Sequence, residues 1–197
     1  MALSETAVGI FGGSFDPIHR GHISIAESFL NASHISELWV MLTPESPHKQ
    51  REEKTSYNLR FEMLQLAFAD VKNAKVSNFE QQLRPPYYTV KTLRELKKTF
   101  KNKRFFLCMG EDSLIDFESW HQWEEILKYC ELLVARRPSY DVKKLNNKIR
   151  ENTNFVSHEP MDISSTEIRK KVRKGEKIDG LVPTRVEEFI LDRKLYK

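Results

Sequence analysis

The sequence predicts an α/β fold, a doubly wound parallel sheet with helices on both faces and a C-terminal helical segment, in one domain over residues 1–197. Three observations predict it. The strand candidates are continuous apolar runs rather than alternating ones, as strands covered on both faces must be. Segments of helical period lie between them, the order that gives a parallel sheet. No linker rich in Pro, Gly or Ser, no internal repeat and no break in composition divides the 197 residues, a length that suits one domain.

Residues 7–11, Ala-Val-Gly-Ile-Phe, form the first predicted strand, which ends in glycines. After a loop to Gly21, Ile23, Ala26 and Leu30 recur at offsets of three and four, which marks a helix. Residues 38–42 read as a buried strand, 57–69 as an amphipathic helix and 76–79 as a third strand. Pro85-Pro86 sets up a loop before a helix over 90–100, and 104–109 is the most strand-like run after the first. Short helices over 112–117 and 120–128 lead to a strand at 131–135, then a polar helix over 142–150 and a weak strand at 154–157. Helices over 165–174 and 185–193 end the predicted order.

With 40% hydrophobic and 30% charged residues, the chain is too rich in core formers to be disordered. No apolar run approaches the roughly 18–20 residues that span a bilayer, and residues 1–6 lack a secretory n-region, so the expected compartment is the cytoplasm, with no membrane partner. Cys108 and Cys130 sit in apolar stretches without metal-ligand spacing and are expected to be reduced core residues. A net charge of +4 hints at an anionic partner without naming it.

The chemistry concentrates in the first loop, Gly12-Gly13-Ser14-Phe15-Asp16-Pro17-Ile18-His19-Arg20-Gly21-His22. It follows a strand where open α/β sheets bind ligands. Glycines let backbone approach a ligand, and the next helix N-terminus offers free N–H groups and about half a positive charge to an anion. Two imidazoles add donors. The spacing fits neither the dinucleotide fingerprint nor the P-loop. A structural turn would explain two isolated histidines equally well, but not the whole eleven-residue string.

That string resembles the N-terminal motif of the HxGH nucleotidyltransferase superfamily, whose members move a nucleoside monophosphate from ATP or CTP to a small anionic acceptor. Ile163-Ser164-Ser165-Thr166-Glu167-Ile168-Arg169 resembles the superfamily's ISSTxIR motif. Further landmarks resemble the bacterial nicotinate-nucleotide adenylyltransferases in particular. Ser46-Pro47-His48-Lys49 is similar to their PPHK, with Ser46 where proline is usual, and Tyr88-Thr89-Val90-Lys91-Thr92-Leu93 to their YTxxTL. Gly110-Glu111-Asp112-Ser113-Leu114 with Phe117 and Trp120 resembles GxDxLxxFxxW, and Arg136-Arg137-Pro138 resembles RRP. The resemblance covers nearly the whole chain. It implies a Rossmann-like sheet and transfer of AMP from ATP to nicotinate mononucleotide, giving nicotinate adenine dinucleotide and pyrophosphate in NAD biosynthesis.

Such an acceptor is a phosphate already anionic at neutral pH, so attack needs positioning and charge cancellation rather than a base. The resemblance implies His19 and His22 on the ATP phosphates, with His22 facing the transition state. Gly12, Gly13 and Ser14 would line the same site, and Asp16 would fix the loop. Gly110 and Asp112 would lie by the ATP ribose, although Asp112 also suits a helix cap. Ser164, Ser165 and Arg169 would take the triphosphate, while Ser164 and Glu167 also fit a capping box. Ile168 and Val172 should face the core, leaving Arg169 on a neighbouring face. His48 and Lys49 would neutralise phosphate charge. Thr89 and His121 would receive the nicotinate carboxylate, Trp120 would stack on the ring, and Arg136 or Arg137 would hold the acceptor phosphate. The catalytic set implied is His19, His22, Lys49 and Arg169. Mg²⁺ would bridge phosphate oxygens, with no protein ligand named.

Two rivals stand beside this reading. The basic runs Lys97-Lys98 and Arg169-Lys170-Lys171 suit a nucleic-acid binder, but such runs are usually solvated faces and no RNP, KH or zinc-finger motif accompanies them. Within the superfamily, nicotinamide mononucleotide or phosphopantetheine is the alternative acceptor.

Overall fold

The computed structural model describes residues 6–45, 55–136 and 145–197. Its strands are β1 (Thr6–Gly13), β2 (Glu37–Leu42), β3 (Ala74–Ser77), β4 (Lys103–Gly110), β5 (Cys130–Arg136) and β6 (Thr153–Ser157). Between and after them run α1 (Arg20–Asn31), α2 (Tyr57–Phe68), α3 (Thr89–Thr99), α4 (Glu111–Ile115), α5 (Trp123–Tyr129), α6 (Asn147–Glu151), α7 (Ser165–Arg173) and α8 (Thr184–Asp192). The strands pair in parallel in the order β3-β2-β1-β4-β5-β6. Ile10 therefore sits in register with Trp39 on one side and Leu107 on the other. The chain winds outward from β1 to β3, then returns to the far side of β1. That reversal opens a crevice beyond the carboxyl ends of β1 and β4, where open sheets take ligands.

Both faces of the sheet are buried, which explains the unbroken apolar runs. Val40, Phe106 and Leu133 pack with Phe29 of α1, Met63 of α2, Ile168 of α7 and Ile190 of α8. On the opposite face, Ile10, Met41, Leu107 and Val134 pack with Leu93 of α3, Leu114 of α4, Ile126 of α5 and Ile149 of α6. Each such side chain contributes about 1.5–3 kcal/mol by burial. Gly9 leaves room for its neighbours: a Cβ there would stand 2.7 Å from Ile35 and Leu38 and 2.8 Å from the Cys108 sulfur. Cys108 and Cys130 are buried free thiols, as expected.

Where boundaries differ from expectation, local chemistry decides. The third strand stops at Ser77, whose hydroxyl accepts the Phe79 N–H at 3.3 Å and turns the chain into a 3₁₀ segment, Phe79–Gln82. Helix α5 starts at Trp123 rather than 120 because Gln122 adopts the left-handed conformation, φ 54°. Helix α6 is shorter than predicted and is capped by Asn146, which accepts the Lys148 N–H at 3.0 Å; residues 142–144 lie outside the described residues. Among the described residues, no helix is long and apolar enough to cross a membrane.

Candidate active site

The loop after β1 is held in a shape that its sequence alone would resist. Phe15 has φ 43°, a left-handed conformation that costs a bulky residue about 1–3 kcal/mol. Burial offsets this, because the ring packs edge-on against Phe11 at 5.6 Å and His22 at 5.1 Å between centroids. The ring also folds over Gly13, where a Cβ would come within 2.8 Å of it. Among the described residues nothing lies within 4 Å of a Cβ at Gly12. Asp16 fixes the loop, as expected: its carboxylate accepts the Tyr196 hydroxyl at 2.7 Å and the Thr55 N–H at 3.3 Å.

His19 caps α1 and is buried, and His22 lies one turn on, so the two rings stack with centroids 3.6 Å apart. The His19 N–H donates to His22 Nδ1 at 3.3 Å, which leaves the proton of a neutral His22 ring on Nε2 as a donor. Burial pushes His19 down to about 4. Burial, and then the neighbouring charge of His19, push His22 well below the usual histidine range. Both rings are therefore neutral donors at pH 7 until an anion arrives to favour their charged forms. Gly21 leaves room for this pair, since a Cβ there would stand 3.1 Å from His19 Nδ1, itself buried without a hydrogen-bond partner.

Helix α7 packs its N-terminus beside the same loop. Ser164 caps it by accepting the Glu167 N–H at 3.2 Å, Ser165 donates to the Pro17 carbonyl at 2.9 Å, and Arg169 donates to the Asp16 carbonyl at 2.8 Å. Ile168 and Val172 are buried, as predicted. The two signature motifs, some 150 residues apart, thus meet.

A cavity of about 230 Å³ lies at the carboxyl ends of β1, β2 and β4. Gly12, Gly13 and Ser14 line it, together with Gly110, Thr89, Trp120 and His121. His121 stacks on Tyr88 at 4.2 Å, and Trp120 leans on Phe117 at 5.4 Å, so the aromatic wall is braced from behind. Asp112 is exposed just outside, with its Oδ1 only 2.6 Å from where a Gly110 Cβ would be, so Gly110 must be glycine for the carboxylate to fold back. Arg136 is exposed at the end of β5, its guanidinium 5.9 Å from the Phe155 ring, and does not line the cavity. His48, Lys49 and Arg137 lie outside the described residues.

Sequence reasoning missed two buried charged residues here. Glu80 lines the cavity and accepts the Thr92 hydroxyl at 2.8 Å; burial raises its pKa, against the opposing pull of the Thr92 and Thr43 hydroxyls. Arg60 is 2% exposed. Its signal was present: Arg60 begins the stripe continued by Met63, Leu64, Ala67 and Phe68, where a charged residue is out of place.

The glycine–histidine loop thus sits at the switch point of this sheet. A model of the cytidylyltransferase-like family matches residues 10–171. The chain is 32% identical to a probable nicotinate-nucleotide adenylyltransferase of Geobacter metallireducens, over 95% of this chain and 97% of that one. It is 35% identical to one of Cytophaga hutchinsonii, over 96% and 97%. The chain belongs to the cytidylyltransferase-like family and, within it, to the nicotinate-nucleotide adenylyltransferases. It shares its fold with the Plasmodium falciparum nicotinic acid mononucleotide adenylyltransferase solved in complex with NaAD, at a TM-score of 0.78 and 22% identity over 97% of both chains.

Proposed function

We propose that this chain, working as one domain in the cytoplasm, transfers the adenylyl group of ATP to nicotinate mononucleotide. The observation that carries the reading is one cavity bounded both by the Gly12-Gly13-Ser14 backbone and by the Thr89, Trp120 and His121 wall, so that a phosphate chain and an aromatic acid can occupy adjoining space. The family relatives carry the same activity in their names. Two buried free thiols suit a reducing compartment.

In the proposed reaction an oxygen of the acceptor's 5′-phosphate attacks the α-phosphorus of ATP in line. The new O–P bond forms as the bond to the β-phosphate oxygen breaks, and its electron pair leaves with pyrophosphate. No proton has to be removed first. His22 donates Nε2–H to the phosphates, with His19 stacked behind it, and this fixed donor stabilises the negative charge that gathers on the leaving group. The backbone of Gly12, Gly13 and Ser14 takes phosphate oxygens, Ser164 and Ser165 present the N-terminus of α7, and Arg169 and Lys49 neutralise charge. Gly110 and Asp112 serve the ATP ribose. Thr89 and His121 hold the nicotinate carboxylate, Trp120 stacks on its ring, and His48 with Arg136 or Arg137 holds the acceptor phosphate.

A divalent ion such as Mg²⁺ would supply charge neutralisation on the phosphates and would be held mainly through the substrate. Among the described residues, no group of three or more His, Cys, Asp or Glu could cage a metal, and both Asp16 oxygens are engaged, so the ion fits as one carried by the substrate. The test is turnover by purified protein with ATP, Mg²⁺ and either nicotinate or nicotinamide mononucleotide, followed by chromatography. Dinucleotide from the acid in preference to the amide is expected; no dinucleotide from either rejects the assignment.

A further inference from the structure

Arg60 is the one arginine buried among the described residues, and its hydrogen bonds run to backbone carbonyls. Nη1 donates to Ser14 at 2.8 Å and to Thr43 at 3.1 Å, Nη2 to Pro44 at 2.9 Å, and Nε to Thr55 at 2.9 Å. Those carbonyls come from three separate stretches of chain: the loop after β1, the chain leaving β2, and the lead into α2. Thr55 is gripped from both sides, since its N–H goes to the Asp16 carboxylate.

A buried cation without a bonded carboxylate is a poor way to stabilise a core. The remainder of the stripe on α2 is apolar, and a hydrophobic residue of similar volume serves stability as well or better. Burial presses against the charge of Arg60, with the nearby Asp16 carboxylate pulling the other way. What the guanidinium supplies is a planar fork with five donors in fixed directions, able to set several carbonyls at defined separations. Two residues so held, Ser14 and Thr43, both line the cavity.

We infer that Arg60 is a positioning residue for adenylyl transfer: it fixes the loop after β1 against the chain leaving β2, so that the walls at Ser14 and Thr43 hold two nucleotides in line. The inference rests on the adenylyltransferase reading above. Its effect falls on alignment more than on affinity, because displacing bound reactants by about 1 Å can cost on the order of 100-fold in rate.

Arg60→Lys keeps the charge and loses the fork; Arg60→Met keeps volume and loses both. Steady-state kinetics on each substrate, with circular dichroism and thermal melting on the same samples, should show kcat reduced by roughly 10–100-fold in both variants, KM for each substrate changed less than about threefold, and the fold retained. Wild-type kcat in Arg60→Lys, or a loss that only tracks the unfolded fraction, overturns the inference. If neither variant folds, the wild-type protein still decides. With ¹⁵N-labelled arginine, the slowest-exchanging Nε–H signal should belong to buried Arg60. It should shift on adding a non-hydrolysable ATP analogue alone and nicotinate mononucleotide alone. No shift with either overturns the inference. Wild-type protein that makes no dinucleotide defeats the underlying reading instead.

Discussion

At the amino ends of the strands, charges are paired near the surface. Glu37 accepts Lys75 at 2.8 Å and Lys103 at 2.7 Å, and Arg104 pairs with Glu131, which also accepts Asn154. Burial works against ionising Glu37, yet those two ammonium groups hold its carboxyl at about 2. At the carboxyl ends the pattern inverts. There Arg60, Asp16, Glu80 and His19 are buried, His19 Nδ1 has no hydrogen-bond partner among the described residues, and Phe15 is strained. The two ends share one sheet, so the difference is not one of fold. Paired surface charge contributes modest stability and no chemistry, whereas unmet polar groups and strained backbone cost stability and are kept where a ligand can satisfy them.

The sharpest way to break this contrast is His22→Ala. Turnover should fall by about 10²–10³-fold, as when a preorganised donor to developing charge is removed, while the melting temperature changes little. Near-normal kcat would strip the carboxyl end of its catalytic claim.

The pH dependence of stability separates the ends next. His19 titrates at about 4 in the folded chain against 6.5 unfolded, so below pH 6.5 the unfolded state binds more protons and stability falls as pH drops toward 4. On the order of 3 kcal/mol is involved for His19. Glu37, depressed to about 2 from 4.5, loses its contribution in a lower window, from 4.5 down to 2. Urea melts at pH 7.5, 4.5 and 2.5 should resolve the two windows. Stability that stays flat between 6.5 and 4.5 would mean that the histidines are not buried as a neutral pair.

Least dramatic is Glu37→Gln. It should cost about 1–3 kcal/mol near neutrality, shrink in high salt, and leave kcat unchanged. A tenfold loss of turnover would show that the amino end reaches the chemistry.

Element order was legible because burial on both faces writes itself into apolar runs such as 38–42 and 104–109. The glycine–histidine loop and the Ser164–Arg169 stretch were legible as motifs. Boundaries were less so, because single events such as the left-handed Gln122 or the Ser77 hydroxyl bond set them. Arg60 shows the deeper limit. Its place on the α2 stripe flagged an anomaly, but only folding reveals that Ser14, Thr43, Pro44 and Thr55 bring their carbonyls to one point.

The loop after β1 is moored by partners far along the chain: Pro17 to Ser165, Asp16 to Arg169, and Asp16 to Tyr196, separations of 148, 153 and 180 residues. Each mooring rests on a hydrogen bond between part-buried groups. Contacts between neighbouring strands rest on the two buried cores. In the hierarchy of local openings the moorings should release first, so gentle heating or denaturant extinguishes activity while the sheet is still intact.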